Sequence, residues 1–240
     1  MMSPSHLIRG LFFLPAATIV TIFFSLVTVG SIFILRQDQE KAQIHPRRWA
    51  QTICRLAGVR IKIIGAEKLT PGTTYIYCAN HLSQFDIFSF QGYFPLPFRW
   101  LAKEELSRIP FLGAAMNRAG TIFINRNHGR QALMSLDKAA AQINRGTSVL
   151  IFPEGTRSAD GTLQPFKGGA MLLGIKSGIP LVPLAIKGSY DILPKGAWLP
   201  RPGTITITIG SPVTSTSYNN RQKQELAQLI HDQVNTLLTE

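Results

Sequence analysis

An uncharged stretch near the amino terminus limits this chain more than any other feature. From Leu11 to Leu35 there is no ionisable residue, and a helix over this range is long enough to cross a hydrocarbon core of about 30 Å with some tilt. A cleaved signal peptide is the alternative, but its apolar run is usually roughly 7–15 residues and ends at a small-residue cleavage site. No such site is evident before Arg36. We therefore predict an N-terminal hydrophobic membrane helix, and Pro15 and Gly30 leave a helical hairpin open.

The charges around this stretch predict its orientation. Arg9 alone precedes it, whereas Arg36, Lys41, Arg47 and Arg48 follow. Cytoplasmic flanks of membrane helices carry an excess of Lys and Arg. We therefore expect an inner or cytoplasmic-facing membrane location, with the rest of the chain in the cytoplasm.

The segment PRRWAQTICRLAG predicts a second, amphipathic helix. Trp49, Ile53 and Leu56 share one face at helical spacing, and arginines occupy the remaining surface. This helix could lie on anionic lipid, or its apolar face could pack on the domain, and the pattern favours neither. We assign residues 1–57 to a membrane-anchoring segment with a basic amphipathic helix, and residues 58–240 to an α/β domain.

The overall charge indicates anionic partners. The chain has 25 Lys and Arg against 13 Asp and Glu, a formal net charge of +12, which suits nucleic acid, a membrane surface or a phosphorylated substrate. The aromatic residues do not alternate with arginines along any predicted strand, as a base-stacking surface requires, so we do not predict nucleic-acid binding.

Nothing in the residue spacing predicts a metal, a cofactor or a disulfide. The five histidines and two cysteines are scattered without ligand spacing, and Gly168-Gly169 fits neither the Rossmann nor the P-loop motif. Cys54 and Cys78 form no C-x-x-C pair. We expect both cysteines to be reduced and structural.

Beyond Gly58 the sequence alternates short β-rich runs with longer helical patterns. This alternation predicts an α/β fold with a mostly parallel central sheet flanked by helices. The predicted strands are 59–64, 73–79, 98–102, 120–124, 148–152, 180–186 and 204–209. The predicted helices are 86–93, 104–117, 129–145, 167–177 and 219–238, and residues 191–203 form a surface loop.

The motif NHLSQFD, from Asn80 to Asp86, follows the predicted strand 73–79. Side chains five positions apart on a continuous helix diverge by roughly 140°, which is poor for contact. If the helix instead begins near Ser83, His81 lies before it and can fold back onto the Asp86 carboxylate. Such a pair would form a general base. Ser83 and Asp86 also fit a capping box, which would explain both without catalysis.

A second motif, FPEGTRS, directly follows the apolar run SVLI. Glu154 and Arg157 would therefore emerge at the carboxyl end of a strand, the edge where open α/β sheets bind ligands. An arginine on the turn marked by Pro153 and Gly155 can bind a phosphate through two parallel hydrogen bonds. The alternative is an exposed Glu154–Arg157 ion pair worth about 0–1 kcal/mol. GTIFINR likewise ends a strand at Arg126, for which the alternative is a solvated surface arginine.

In combination, NHLSQFD, GTIFINR, FPEGTRS and the apolar run IPLVPLAI resemble the four sequence blocks of the 1-acylglycerol-3-phosphate acyltransferase family, and they occur in the family's order. These membrane acyltransferases make phosphatidic acid. The resemblance spans about residues 76–186, including LAKEELSRIPFLG at 101–113 and FKGGA at 166–170. Phe85 is a small departure, because tryptophan or leucine often precedes the aspartate.

The resemblance implies a reaction and its substrates. His81 would take the proton from the glycerol 2-hydroxyl of a lysophosphatidic acid acceptor as that oxygen attacks an acyl thioester, and Asp86 would hold the ring. The donor would be acyl-CoA or an acyl carrier protein, and membrane lipid would surround the protein.

The resemblance also implies a substrate-binding set. Its members are Lys103, Arg126, Glu154, Gly155, Thr156 and Arg157. Glu154 and Gly155 would shape the acceptor site, and the three cations would neutralise the acceptor phosphate.

Three other functions would each account for some of these residues. The same chemistry could serve another lyso-lipid or an amino-lipid acceptor. A covalent acyl-serine at Ser83 is disfavoured, because G-x-S-x-G is absent and capping explains this serine. A basic membrane protein that only binds anionic lipid would need no proton acceptor, whereas His81 and Asp86 supply one.

Overall fold

A seven-stranded sheet forms the centre of the computed structural model, which describes residues 4–125 and 129–240. Its strands are β1 (Val59–Ile64), β2 (Ile76–Ala79), β3 (Arg99–Lys103), β4 (Ile122–Ile124), β5 (Val149–Ile151), β6 (Leu181–Lys187) and β7 (Gly203–Ile209). Each overlaps a range at which the sequence predicts a strand, with ends that differ by up to three residues. The central strands β2 and β5 are fully buried apolar runs, as expected for strands covered on both faces.

The strand order across the sheet is β1-β7-β6-β2-β5-β3-β4. Strands β6, β2, β5, β3 and β4 are parallel, which confirms the mostly parallel α/β prediction. Strand β7 pairs antiparallel with β6 and parallel with β1. Two consequences matter for the site. The carboxyl ends of β2, β5, β3 and β4 lie in a row along one edge, and the loop that enters β7 reaches the same edge.

Nine α-helices among the described residues surround the sheet. They are α1 (Pro4–Phe33), α2 (Gln39–Ala42), α3 (Ile44–Ala57), α4 (Phe85–Tyr93), α5 (Leu112–Arg118), α6 (Gly129–Ile143), α7 (Gly168–Ser177), α8 (Ser189–Ile192) and α9 (Lys223–Thr239). One apolar core joins the sheet to α3 and α4. A second core joins its other face to α6, α7 and α9. Both cysteines are buried and free, as expected.

The prediction of a single helix over 104–117 is wrong, because two shorter helical segments occupy this range. A 3-10 helix spans Glu104–Arg108, and α5 starts only at Leu112. Pro110 cannot continue a helix, and Phe111 takes a positive φ of 61°. A Cβ on Gly113 would lie 2.2 Å from the Ser107 carbonyl oxygen, so only glycine allows the two pieces to meet this closely.

The hydrophobic N-terminal segment forms one continuous helix rather than a hairpin. Within the described residues, the segment Leu11–Phe33 of α1 is the one helix long and apolar enough to cross a membrane. One face of α1 packs on the domain through Phe13, Ala17 and Val20. The opposite face is apolar and exposed, for example at Ile19 and Phe23.

Helix α3 packs on the domain along its apolar face. Ile53 is buried in the core, and the Trp49 indole N–H donates to the Thr21 hydroxyl of α1 at 3.0 Å. The packing alternative therefore holds for these two residues. Leu56 remains 44% exposed beside the exposed Arg55. The division of the chain at residues 57 and 58 stays a prediction.

Candidate active site

The NHLSQFD motif forms the predicted corner between β2 and α4. Nδ1 of His81 lies 2.8 Å from Oδ2 of Asp86, and the same oxygen accepts the backbone N–H groups of Leu82 (2.7 Å) and Ser83 (2.8 Å). Because Oδ2 already accepts two N–H groups, it also acts as acceptor toward the ring. His81 then carries its proton on Nδ1 and keeps a free lone pair on Nε2.

The capping residues and the histidine–aspartate pair form one structure. The Ser83 hydroxyl accepts the backbone N–H of Phe85 at 3.1 Å and donates to the Leu193 carbonyl at 2.8 Å. Asp86 is completely buried, and its Oδ2 atom both binds the Ser83 N–H and orients the His81 ring. The predicted capping box is only half formed, because the Ser83 hydroxyl binds the Phe85 N–H and not that of Asp86, whereas the Asp86 carboxylate does bind the Ser83 N–H. A single carboxylate oxygen serves the start of the helix and the imidazole.

Asn80 fixes the end of β2 immediately before the histidine. Its side-chain amide donates to the Ile186 carbonyl at 3.0 Å and accepts the Ile186 N–H at 2.7 Å. These two bonds replace a further step of the β2–β6 ladder. The backbone can therefore leave the sheet at His81 without leaving buried polar groups of β6 unpaired.

The FPEGTRS segment after β5 holds His81 from the other side. Its Phe152 ring stacks on the imidazole with centroids 3.9 Å apart and an interplanar angle of 9°. Oε1 of Glu154 accepts the His81 backbone N–H at 2.9 Å, and the Ser158 N–H donates to the His81 carbonyl at 2.8 Å. Three separate parts of His81 are thus fixed by a neighbouring strand's loop.

Glu154 is buried rather than part of an exposed ion pair. Only 3% of it is exposed, and no ion pair of the described residues joins it to Arg157, so the surface-pair alternative is wrong. Burial raises the pKa of Glu154 to about 8; the Asp86 charge acts in the same direction, and the His81 and Gln164 backbone N–H groups oppose it. Near neutral pH the carboxyl is therefore largely protonated.

The next residues form a tight turn beside the Lys167 amine. Gly155 has a φ of +80°, which favours glycine, and a Cβ there would lie 2.8 Å from the Lys167 amine. Thr156 is exposed and Arg157 is half-buried. Lys103 is exposed at the carboxyl end of β3, the strand next to β5. Arg126 lies outside the described residues.

A family model described as Acyltransferase matches residues 60–187, which is more than half of the chain. The chain belongs to the acyltransferase family. The matched range holds the His81–Asp86 pair, the FPEGTRS loop and Lys103.

Curated relatives of this acyltransferase carry more specific names. A chloroplastic 1-acyl-sn-glycerol-3-phosphate acyltransferase of Arabidopsis thaliana is 32% identical over 87% of this chain and 60% of its own length. The 1-acyl-sn-glycerol-3-phosphate acyltransferase of Borreliella burgdorferi is 30% identical over 75% of this chain and 72% of its own length. This chain spans less than two thirds of the plant relatives that it matches.

A solved structure confirms the fold of this acyltransferase. The crystal structure of a 1-acyl-sn-glycerophosphate acyltransferase from Thermotoga maritima superposes with a TM-score of 0.83 at 24% identity. The match covers 100% of this chain and 98% of the other.

Sequence reasoning missed two features of the acyltransferase site. The first is the Phe152 stack on His81, for which the only local signal is its position directly before Pro153 and Glu154. The second is that Glu154 binds the backbone of His81, although the sequence suggested only a contact with the acceptor. Both contacts join residues far apart in the chain, so no spacing rule predicts them.

Proposed function

We propose that this protein transfers an acyl group from an acyl thioester to the 2-hydroxyl of 1-acylglycerol-3-phosphate, giving phosphatidic acid. The observation that carries the proposal is the pair formed by a partly exposed His81 and a buried Asp86 at the carboxyl edge of the sheet. The names of the curated relatives support this acceptor. The positions of Lys103 and Arg157 after neighbouring strands support an acceptor that carries a phosphate.

In the proposed reaction the free Nε2 of His81 accepts the proton of the acceptor hydroxyl. The oxygen forms a bond to the thioester carbonyl carbon, and the tetrahedral intermediate then breaks its carbon–sulfur bond. The leaving thiolate takes up the proton from the imidazolium. Asp86 stabilises the imidazolium while it exists, because its buried carboxylate faces Nδ1 at 2.8 Å.

The strand order supports an acceptor that lies across the carboxyl ends of β2, β5 and β3. His81 follows β2, Glu154 to Arg157 follow β5, and Lys103 ends β3, and these strands are consecutive in the sheet. An acceptor lying across this edge would present its hydroxyl to His81 and its phosphate to Arg157 and Lys103. Arg126 would join this phosphate site.

Helix α1 supports a membrane location for this reaction. Its exposed face is apolar, and a diacylated product belongs in a bilayer. We therefore propose that α1 anchors the protein in the inner or another cytoplasmic-facing membrane, with the catalytic domain in the cytoplasm.

The test is transfer of labelled acyl groups by the purified protein. Acyl-CoA and acyl carrier protein thioesters are offered in turn to lysophosphatidate, to a lysophospholipid with a choline headgroup and to an amino-lipid, with His81→Ala as the blank. We expect labelled phosphatidic acid at a rate that exceeds the other products by at least about tenfold. Faster acylation of a different acceptor would show that this family member uses that acceptor instead of lysophosphatidate. Binding of lipid without any transfer would contradict the enzymatic role.

A further inference from the structure

The loop 193–202, which joins α8 to β7, borders the candidate site. Because β7 runs antiparallel to β6, this loop lies at the sheet edge that carries His81. Two hydrogen bonds hold the loop against the site. The Ser83 hydroxyl donates to the Leu193 carbonyl, and the Lys195 amine of the loop donates to the Arg157 carbonyl at 3.0 Å.

Trp198 occupies the outer part of this loop and is 66% exposed. Beyond residue 35 it is the most exposed large hydrophobic side chain that the structure describes. Lys195, Gly196 and Ala197 beside it are also exposed. A tryptophan in water exposes a large apolar surface, whereas at a membrane–water interface its ring and its indole N–H are both accommodated.

A basic surface adjoins the loop. A shallow cavity of about 520 Å³ is lined by Arg55 at the end of α3, Arg60 at the start of β1 and Pro202 with Gly203 at the start of β7. Arg55, Arg60 and Arg201 are exposed, and none of them forms an ion pair with a carboxylate of the described residues. Such a group of unpaired guanidinium groups is suited to phosphates.

The same edge also carries the part of α1 around Phe13. Phe13 stacks near Phe85, the first residue of α4, with ring centroids 6.4 Å apart. Leu11 and Phe12, directly before it, are 67% and 74% exposed. An apolar helix face, an exposed tryptophan and unpaired arginines therefore border one edge of the molecule, and this combination is complementary to an anionic bilayer surface.

We propose that loop 193–202 is a second membrane contact, in which Trp198 enters the bilayer interface and Arg55, Arg60 and Arg201 bind the phosphates of anionic phospholipids. This inference rests on the membrane location in the proposed function but not on the identity of the acceptor. It orients the site edge toward the bilayer. A lyso-lipid can then reach His81 from the membrane without passing fully into water.

The first experiment measures the depth of Trp198 in the bilayer. The full-length protein is mixed with phosphatidylcholine vesicles that contain about 30% phosphatidylglycerol, with or without bromine on the acyl chains. Subtracting the fluorescence of Trp198→Phe from that of the wild type isolates Trp198 from Trp49 and Trp100. We expect bromine to quench this difference signal strongly. A difference signal that brominated lipid leaves unchanged overturns the proposal.

The second experiment measures affinity for the same vesicles by flotation. Each basic group close to an anionic surface contributes about fivefold in affinity, so Arg55→Glu/Arg60→Glu should bind at least about tenfold more weakly than the wild type. The matched control Lys138→Glu/Arg145→Glu makes the same charge change on and just after α6, on the other face of the sheet. This control should lose less than half as much affinity on the logarithmic scale.

The outcomes separate the two proposals. Equal affinity losses in both double variants, or a loss of the same size on vesicles of pure phosphatidylcholine, would overturn the second contact alone. If the wild type binds neither kind of vesicle, the membrane location in the proposed function is refuted, and this inference with it. Trp198→Ser should acylate a short-chain, water-soluble acceptor at the wild-type rate, because the proposal gives the loop a role only in access from the membrane.

Discussion

Asp86→Asn separates the charge of the buried carboxylate from its geometry. An asparagine whose amide oxygen takes the Oδ2 position still accepts from His81 Nδ1 and from the Leu82 and Ser83 N–H groups. Its amide nitrogen then occupies the Oδ1 position, where the aspartate has no hydrogen-bond partner. The ring orientation and the proton on Nδ1 are preserved, and only the negative charge beside the imidazolium is lost.

The expected loss follows from this geometry. Two unit charges about 4 Å apart interact by about 4 kcal/mol at an effective dielectric constant of 20. If the imidazolium is formed in the transition state, kcat should fall by about 10³-fold. The unpaired amide N–H₂ in the buried Oδ1 position should separately cost about 1–3 kcal/mol of folding stability.

The assay is single-acceptor turnover at saturating donor, measured beside thermal unfolding of each variant. Asp232→Asn is the matched control, because Asp232 also lies next to a histidine ring nitrogen, that of His231, at 3.2 Å but on the exposed surface of α9. The control should keep its turnover within about twofold. A folded Asp86→Asn protein with kcat within tenfold of the wild type would refute the reasoning, since no imidazolium charge would then need stabilising.

Three further predictions concern the residues around this pair. His81→Ala should lower kcat by roughly 10²–10⁴-fold, whereas Ser83→Ala should mainly cost roughly 1 kcal/mol in thermal unfolding; near-normal turnover of folded His81→Ala would exclude it as the base. Burial raises the pKa of Glu154 from 4.5 to about 8, so the folded protein binds more protons than the unfolded chain between these values. Its stability should therefore fall by at least about 1 kcal/mol as the pH rises from 5 to 8, and Glu154→Gln should remove that decline in urea unfolding. If the wild type and Glu154→Gln lost the same stability between pH 5 and 8, a titrating group other than Glu154 would be responsible. Arg157→Ala should lower kcat/KM for lysophosphatidate by at least about tenfold and much less for an acceptor without phosphate, with Arg157→Lys between. Equal losses on both acceptors would contradict phosphate binding by Arg157.

The strands could be predicted from the sequence because each central strand is an apolar run bounded by turn residues, as in SVLIF before Pro153. Their arrangement could not. Strand β1 pairs with β7 from the far end of the chain, and β7 reverses direction beside β6. Neither fact leaves a local pattern, because strand order depends on contacts between distant segments. The break in the predicted helix 104–117 was within reach of the sequence, because Pro110 lies inside that range and a proline interrupts a helix, whereas the positive φ of Phe111 leaves no local pattern.

The site was predictable to the extent that it is local. The His81–Asp86 contact spans five residues and depends only on where α4 begins. The bond from the His81 N–H to Glu154 spans 73 residues. Its formation requires β2 and β5 to be adjacent, which the sequence of either strand alone does not specify.

The central position of β2 has a consequence for the order of events during synthesis. Its two partners, Val149–Ile151 and Leu181–Lys187, leave the ribosome long after Ile76–Ala79. Helix α1 emerges before any of these strands, and its length and apolar composition suit it to enter a bilayer while the strands are still being made. Until residues of β5 emerge, β2 is an apolar strand with both edges unpaired, and one edge stays unpaired until β6 follows; unpaired edges of this kind favour aggregation in a nascent chain. The corner at His81 is therefore completed late, because the Glu154 carboxylate and the Ser158 N–H that bind its backbone are made only after β5.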